Sequence, residues 1–223
     1  MIYFLCNDAG RERIEIKGED FKYLIKVRRH SVGDIVIFRS SEKMDVAHRY
    51  TLERIESRKA VFMLENSRLS VVQPKKKLHI GWCMIDNKSV EKVLPALNEM
   101  GVAKITFIYC QRSQKNFKPD FKRFGRILEA SNQQCGRTDF MDIVTCNTLE
   151  AFITQNPDTK VFDFCEKTLK NYDEITTVLI GCEGGFSPKE KELLSSLDVF
   201  RLNTPMVLRS ESAALAVAAK VLL

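Results

Sequence analysis

Apolar residues along this chain follow two regimes. Up to about residue 70 they form short alternating or continuous runs between polar turns, the pattern of strands. Ile2–Leu5 and Ile35–Phe38 read as strands, the second entered through the turn Ser31-Val32-Gly33-Asp34. Tyr50–Ile55 and Ala60–Leu64 flank the polar turn Glu56–Lys59 and predict a hairpin. Within Glu19–Arg29, residues Phe21, Leu24, Ile25 and Val27 are spaced for a short helix. From Leu78 onward, strand-like runs alternate with helical periods. Leu78–Met84, Lys104–Tyr109, Lys160–Phe164 and Thr177–Ile180 predict strands. Lys88–Met100 predicts a helix with Val90, Val93, Leu94 and Leu97 on one face, stopped at Gly101. Pro119–Cys135 predicts a longer one with Phe121, Phe124, Ile127 and Leu128 inward, ending at Gly136. Pro188–Ser196 and Ser212–Leu223 complete the set, and Ser210 or Ser212 is the expected N-cap of the last helix. This alternation predicts an α/β domain with a mostly parallel sheet. Glu65–Lys77 holds Asn, Ser, Pro74 and three lysines and reads as a linker. Two domains are therefore expected, a β-rich one over 1–70 and an α/β one over 71–223.

Composition narrows this modestly. The 223 residues are 44% hydrophobic and 29% charged, enough for a sizeable core and inconsistent with disorder. A net charge of +6 is compatible with a nucleic-acid partner, although many ordinary proteins share it. The seven cysteines, at 6, 83, 110, 135, 146, 165 and 182, include no C-x-x-C pair, and His30, His48 and His79 are not spaced as ligands. Reduced thiols, no metal site and no disulfide framework are expected. The N-terminus has no basic-then-apolar leader, and no uncharged apolar run approaches a membrane span, so the expectation is a cytoplasmic protein without membrane contact.

Candidate chemistry concentrates near the C-terminus. Leu179-Ile180-Gly181-Cys182-Glu183-Gly184-Gly185-Phe186-Ser187 reads as a strand running into a helix through a loop where backbone can approach a ligand. In an open parallel sheet this lies where ligands bind, outside a strand's carboxyl end. Glu183 adds negative charge and makes a poor phosphate cradle, so a neutral or cationic ligand fits better. A tight turn with no ligand is the structural alternative. A second loop, Leu202-Asn203-Thr204-Pro205-Met206-Val207-Leu208-Arg209, leads into the alanine-rich terminal helix. Arg209 reads either as an anion or base contact or as a helix-end ion pair with Glu211. Arg112 and Arg137, each following a core element, are placed to line one mouth of the sheet. Lys22, Lys26, Arg28, Arg29 and His30 form a basic run, either a solvated helix face or a phosphate-contacting patch. No acid–base dyad or Ser–His–Asp set stands out.

These motifs together resemble the SPOUT methyltransferases and, within them, the RsmE family, which methylates N3 of a uridine in 16S ribosomal RNA. The family pattern G-P-E-G-G-F/L-S is matched by Gly181, Glu183, Gly184, Gly185, Phe186 and Ser187, with Cys182 at the proline. The pattern L-G-x-x-I-L-R-x-E-T-A is matched by Leu202, Leu208, Arg209, Glu211 and Ala213, with Asn203 at the glycine and Ser212 at the threonine. Gln134-Cys135-Gly136-Arg137, Glu99/Gly101/Val102 and Val27/Arg29/Gly33/Asp34 match further elements, while Gln111, Pro95, Ala96 and Arg28 depart from them. The resemblance covers nearly the whole chain. It implies a SPOUT-type trefoil-knotted α/β domain preceded by a small PUA-like β-barrel, with S-adenosyl-L-methionine as cofactor. It also implies a homodimer and 16S rRNA as partner, within the small ribosomal subunit. Leu179, Gly181, Glu183, Gly184, Gly185, Leu202, Asn203 and Leu208 would hold the cofactor. Arg209 would be catalytic, and Arg28, Arg29, Arg112 and Arg137 would contact RNA. A SPOUT enzyme acting on tRNA, or an RNA-binding protein that kept the fold without catalysis, are the competing readings.

Overall fold

Five strands carry the alternating N-terminal pattern into one sheet: β1 (Phe4–Leu5), β2 (Arg13–Lys17), β3 (Ile35–Ser40), β4 (Lys43–Ile55) and β5 (Lys59–Leu69). Their order is β1-β3-β4-β5-β2, with β1 parallel to β3 and the other pairs antiparallel. One face buries Phe38, Tyr50, Leu52 and Phe62 completely. Phe38 packs edge-on against Tyr50 and Phe62, with ring centroids 5.3 and 5.1 Å away. The hairpin strands β4 and β5 run well beyond their apolar cores, because cross-strand pairing continues through polar residues such as Arg49↔Asn66. Strand β2 escapes the apolar pattern because only Ile14 and Ile16 interrupt its charges.

The helix expected over Glu19–Arg29 is a single α-turn, α1 (Gly18–Phe21), widening into a π-helical stretch over Lys22–Val27. The bond from Arg28 N–H to Tyr23 O (2.8 Å) spans five residues. The widened turn rotates Val27 off the buried face, and it is exposed.

The computed structural model describes residues 1–113, 116–168, 172 and 175–223. They fall into two units, Met1–Gln73 with Asn132–Asp139, and Pro74–Ser131 with Phe140–Leu223. In the first unit, Ile2 N–H donates to Gln133 O (2.8 Å), and Tyr3 Oη–H to Arg137 O (2.7 Å).

The second unit is an open α/β sheet built from β6 (Leu78–Cys83), α2 (Asn87–Met100), β7 (Val102–Ile108), α3 (Phe121–Cys135), β8 (Asp142–Cys146), α4 (Leu149–Gln155), β9 (Lys160–Phe162), β10 (Thr177–Ile180), α5 (Pro188–Leu194), β11 (Asp198–Phe200) and α6 (Ser210–Leu222); the last residues of α3 group with the first unit. The strand order is β11-β9-β10-β6-β7-β8 and every pairing is parallel. All six strands therefore deliver their carboxyl ends to one edge. Trp82 and Phe107 stack at 5.9 Å in the core, and Phe124 of α3 packs on Phe107. Helix α2 buries the four expected residues. In α3, Phe124 and Leu128 point inward, whereas Phe121 on the first turn is exposed.

Two expectations are corrected. Neither Ser210 nor Ser212 caps α6: Arg209 holds the N-cap position, without a side-chain cap bond. Ser210 is the first helical residue, and its hydroxyl is engaged across the sheet instead. Cys83 and Cys110 are paired as a disulfide, with Cα atoms 5.7 Å apart, although all seven thiols were expected to be reduced. The pairing brings together the ends of adjacent parallel strands 27 residues apart, a juxtaposition that no spacing motif flags.

Candidate active site

Strands β9, β10 and β11 end side by side, and the chain leaving each one lines a single cleft of about 370 Å³. β9 contributes Phe162, Asp163 and Phe164; β10 leads into Gly181–Phe186; β11 leads into Arg201, Leu202 and Thr204–Leu208. Ser210 and Ala213 of α6, Lys191 of α5 and Arg112 from the β7–α3 connection complete the lining.

The glycine-rich loop is shaped by its own bonds and its neighbours. Gly185 has φ +62° and donates its N–H to Cys182 O at 2.9 Å, a left-handed position that favours glycine. A Cβ on Gly184 would lie 3.2 Å from Arg112 Cβ, so a side chain there would press on the arginine. That arginine donates Nη1–H to Gly184 O at 2.9 Å, and Cys182 Sγ lies 3.3 Å from Arg112 O. Burial pushes the Cys182 thiol pKa up, and the charges of Glu183 and Glu190 add to the effect. Phe186 fills the core beneath. Ser187 caps α5 in a reciprocal capping box with Glu190.

The second loop turns locally. Thr204 N–H donates to Leu202 O (2.9 Å), and Met206 N–H to Thr204 Oγ1 (3.1 Å). Met206 and Val207 are 71% and 75% exposed, and Phe164, another lining residue, 73%. Ser210 Oγ accepts from Trp82 Nε1–H at 2.7 Å and donates to Gly181 O at 2.5 Å, tying the start of α6 to β6 and to the end of β10.

The lining is amphoteric. Arg112, Lys191 and Arg201 supply positive charge, Asp163 and Glu183 negative charge, and Lys191 lies 3.5 Å from Asp163. Apolar surface comes from Leu202, Leu208, Met206, Val207 and Phe186. This arrangement suits a ligand that combines a flat apolar part with charges of both signs. Next to the lining residue Ser210, Glu211 Oε2 is shut off from solvent with no hydrogen-bond partner among the described residues, on the first turn of α6 where the helix dipole favours a carboxylate.

The structure gathers most of the expected site and disperses the rest. Gly181, Glu183, Gly184, Gly185, Leu202, Leu208 and Arg112 line the cleft together. Leu179 does not: it is fully buried in β10, paired with Gly81 and Val161. Asn203 is exposed beside the lining. Arg209 is exposed between the lining residues Leu208 and Ser210. Arg28, Arg29 and Arg137 belong to the first unit. Arg28 donates to Tyr23 Oη at 2.9 and 2.7 Å and stacks over its ring. Arg29 is exposed and has φ +60°, the only positive value at a non-glycine among the described residues. Arg137 is 4% exposed and holds Asp139 through Nε and Nη2, at 2.9 and 3.0 Å.

The sequence reading missed Asp163, Phe164, Lys191 and Arg201. Asp163 and Phe164 lie at the carboxyl end of a predicted strand, so the rule that located the glycine loop could have found them too. Lys191 and Arg201 carried no such signal.

A family model described as RNA methyltransferase domain matches residues 72–222. Across 228 aligned residues the chain is 36% identical to the Ribosomal RNA small subunit methyltransferase E of Helicobacter pylori strain 26695, covering 96% of this chain and 97% of that one. Among solved structures, a Legionella pneumophila methyltransferase in complex with bound SAM superposes with a TM-score of 0.78 at 20% identity, covering 99% and 95% of the two chains. A Ribosomal RNA small subunit methyltransferase E from Neisseria gonorrhoeae bound to S-adenosyl methionine gives 0.75 at 16% identity, over 98% and 95%.

Proposed function

We propose, from the premise that this chain belongs to the RNA methyltransferase family and within it to the ribosomal RNA small subunit methyltransferase E group, that it methylates N3 of a uridine in 16S ribosomal RNA. The observation that carries this reading is the cleft itself, where the glycine-rich loop, the Leu202–Leu208 loop and Arg112 meet at the carboxyl edge of a parallel sheet.

The cleft fits S-adenosyl-L-methionine by the chemistry of its donors. Leu202, Leu208, Met206 and Val207 offer apolar surface to an adenine ring, and backbone groups around Gly181–Gly185 and Asn203 offer it hydrogen bonds. Leu179 supports this wall from inside the sheet. Glu183 and Asp163 offer negative charge to the cationic sulfonium and amino groups. When bound, the cofactor supplies an electrophilic methyl group.

The protein's task is then to make uridine N3 nucleophilic. That nitrogen carries a proton, and the base gains negative charge as the proton leaves. The Arg209 guanidinium stabilises the deprotonated base, and Arg112 positions RNA at the cleft. Holding nitrogen, methyl carbon and sulfur in line supplies much of the rate. The exposed Arg28 and Arg29 contact RNA phosphates from the first unit, whereas the buried, paired Arg137 acts through the local fold. In this reading residues 1–70 form a PUA-like RNA-binding barrel and 71–223 a trefoil-knotted SPOUT domain. The enzyme works as a cytoplasmic homodimer on the small ribosomal subunit.

The test supplies labelled S-adenosyl-L-methionine and small subunits lacking the modification, and identifies the methylated nucleoside by mass. 3-Methyluridine is the expected product. No label on subunits or free rRNA, with cofactor binding intact, would overturn the reading.

A further inference from the structure

Two segments far apart in sequence meet at the cleft, one through Arg112 and the other through Gly181–Phe186, and one buried carboxylate joins them. Glu190, on the first turn of α5, is 7% exposed. Its Oε2 accepts the N–H of Ser187 at 2.8 Å, and Ser187 Oγ accepts the N–H of Glu190 at 3.3 Å. A capping box needs no more than these two bonds. The other oxygen, Oε1, reaches 79 residues back and accepts the N–H of Gln111 at 2.6 Å. Gln111 immediately precedes Arg112, which donates to Gly184 O at 2.9 Å and whose own carbonyl faces Cys182 Sγ. The contacts close a circuit, from Ser187 through Glu190, Gln111 and Arg112 back to Gly184.

We propose that Glu190 is a positioning residue that holds Arg112 against the glycine-rich loop and so fixes one wall of the cleft for methyl transfer; this rests on the reading of the cleft as a methyltransferase site. The chemistry of the residue supports it. A carboxylate has two acceptor oxygens and no donor, which suits two backbone N–H groups on opposite sides. Glutamine supplies one acceptor and would turn an NH₂ group toward the second N–H. The Ser187 bond is buried and the Gln111 bond partly buried, so an unmatched backbone donor there is costly. Helix capping alone does not account for the bond to Gln111.

The test compares E190Q, R112A, E190Q/R112A and S187A with the wild-type protein. The readouts are amide hydrogen exchange, calorimetric binding of S-adenosyl-L-methionine, and methyl transfer to small subunits. E190Q is expected to speed exchange at Gln111 about tenfold, with the strand amides of β6 and β7 unchanged. E190Q and R112A should each lower kcat/KM about tenfold, and the double variant no further than the worse single one, because both act through one circuit. S187A removes the hydroxyl half of the capping box but neither bond that Glu190 accepts, so exchange at Gln111 should stay within about twofold of wild type. Unchanged exchange at Gln111 in E190Q, losses that multiply in the double variant, or an equal rise in Gln111 exchange in S187A would each overturn the proposal. If E190Q does not fold, E190D serves: its side chain is one methylene shorter, which withdraws the carboxylate from the Gln111 N–H, and the same exchange signature is expected. Absence of transfer by the wild type, with Gln111 protected and that protection lost in E190Q, would instead overturn the methyltransferase reading.

Discussion

The two loops that line the cleft are held in opposite ways. Gly181–Ser187 is fixed by contacts beyond the loop: Gly184 O takes Arg112, Gly181 O takes Ser210, Phe186 is buried in the core, and Ser187 enters the capping box of α5. Leu202–Leu208 is anchored at its ends, where Leu202 is buried and Leu208 packs on the core, but its tip is held, among the described residues, by short-range bonds at Thr204 and Met206, and presents Met206 and Val207 to solvent. One wall is therefore part of the folded core, while the other is a surface turn rich in exposed apolar groups. The difference teaches a division of labour. A wall packed into the core fixes where a ligand sits, because its shape is set before binding. A turn with few tertiary bonds contributes mainly when something covers it, as exposed apolar patches generally do.

Substitutions should separate the walls. The largest effect is expected from F186A. Removing a buried phenyl ring at the end of the glycine-rich loop should lower stability by about 3–5 kcal/mol in urea unfolding, with ligand binding lost alongside it. A loss below about 1 kcal/mol would mean the loop is not anchored as described. Next is R209A, at the far end of the open wall. It should leave unfolding unchanged and cofactor affinity within about twofold, while lowering methyl transfer about 100-fold, the scale of one lost charge-stabilising donor. Parallel losses in binding and transfer would sink the role given to Arg209. S210A should cost about 2 kcal/mol of stability, because the buried Trp82 Nε1–H and Gly181 O both lose their partner. A neutral result would show that Ser210 does not tie the loop to the sheet.

The fixed wall was also the more legible one. Its sequence carries local signals: an apolar run for β10, then glycines, then Ser-Pro-x-Glu opening a helix. The carboxyl-edge rule placed these residues correctly at the cleft. Helix α2 was legible for a similar reason, since its buried face spans about two turns at constant period. Strands β8 and β11, at the two edges of the sheet, were not, because each sets only Ile143-Val144 or Val199-Phe200 among polar neighbours, and α4 was not, because its seven residues make barely two turns. Leu179 shows another limit. A motif locates a strand, but only the register shows that this residue points into the sheet rather than the cleft. The bond between Glu190 and Gln111 and the Cys83–Cys110 pair link segments that no local pattern connects. Arg137 looked like a free basic residue after a helix, but the Asp139 carboxylate that neutralises it is visible only once the turn is folded.

The smallest expected effect discriminates most finely between the walls. In M206A/V207A, two side chains already more than two-thirds exposed are truncated, so little buried area is lost from the free protein. Stability should stay within about 0.5 kcal/mol of wild type, as for surface substitutions generally. If these side chains close over the adenine ring, their removal exposes apolar area only in the complex. A loss of about 40 Å² there corresponds to about 1 kcal/mol, or roughly fivefold weaker binding of S-adenosyl-L-methionine. Calorimetry and urea unfolding on the same preparation measure both quantities. Weaker binding with unchanged stability is the inverse of what F186A should give per unit of binding lost. If the double variant unfolds more easily by 1 kcal/mol or more, the turn is packed in the free protein and the two walls are alike. If stability and affinity both hold, the exposed apolar groups serve neither fold nor cofactor, and the covering partner must be sought in the RNA.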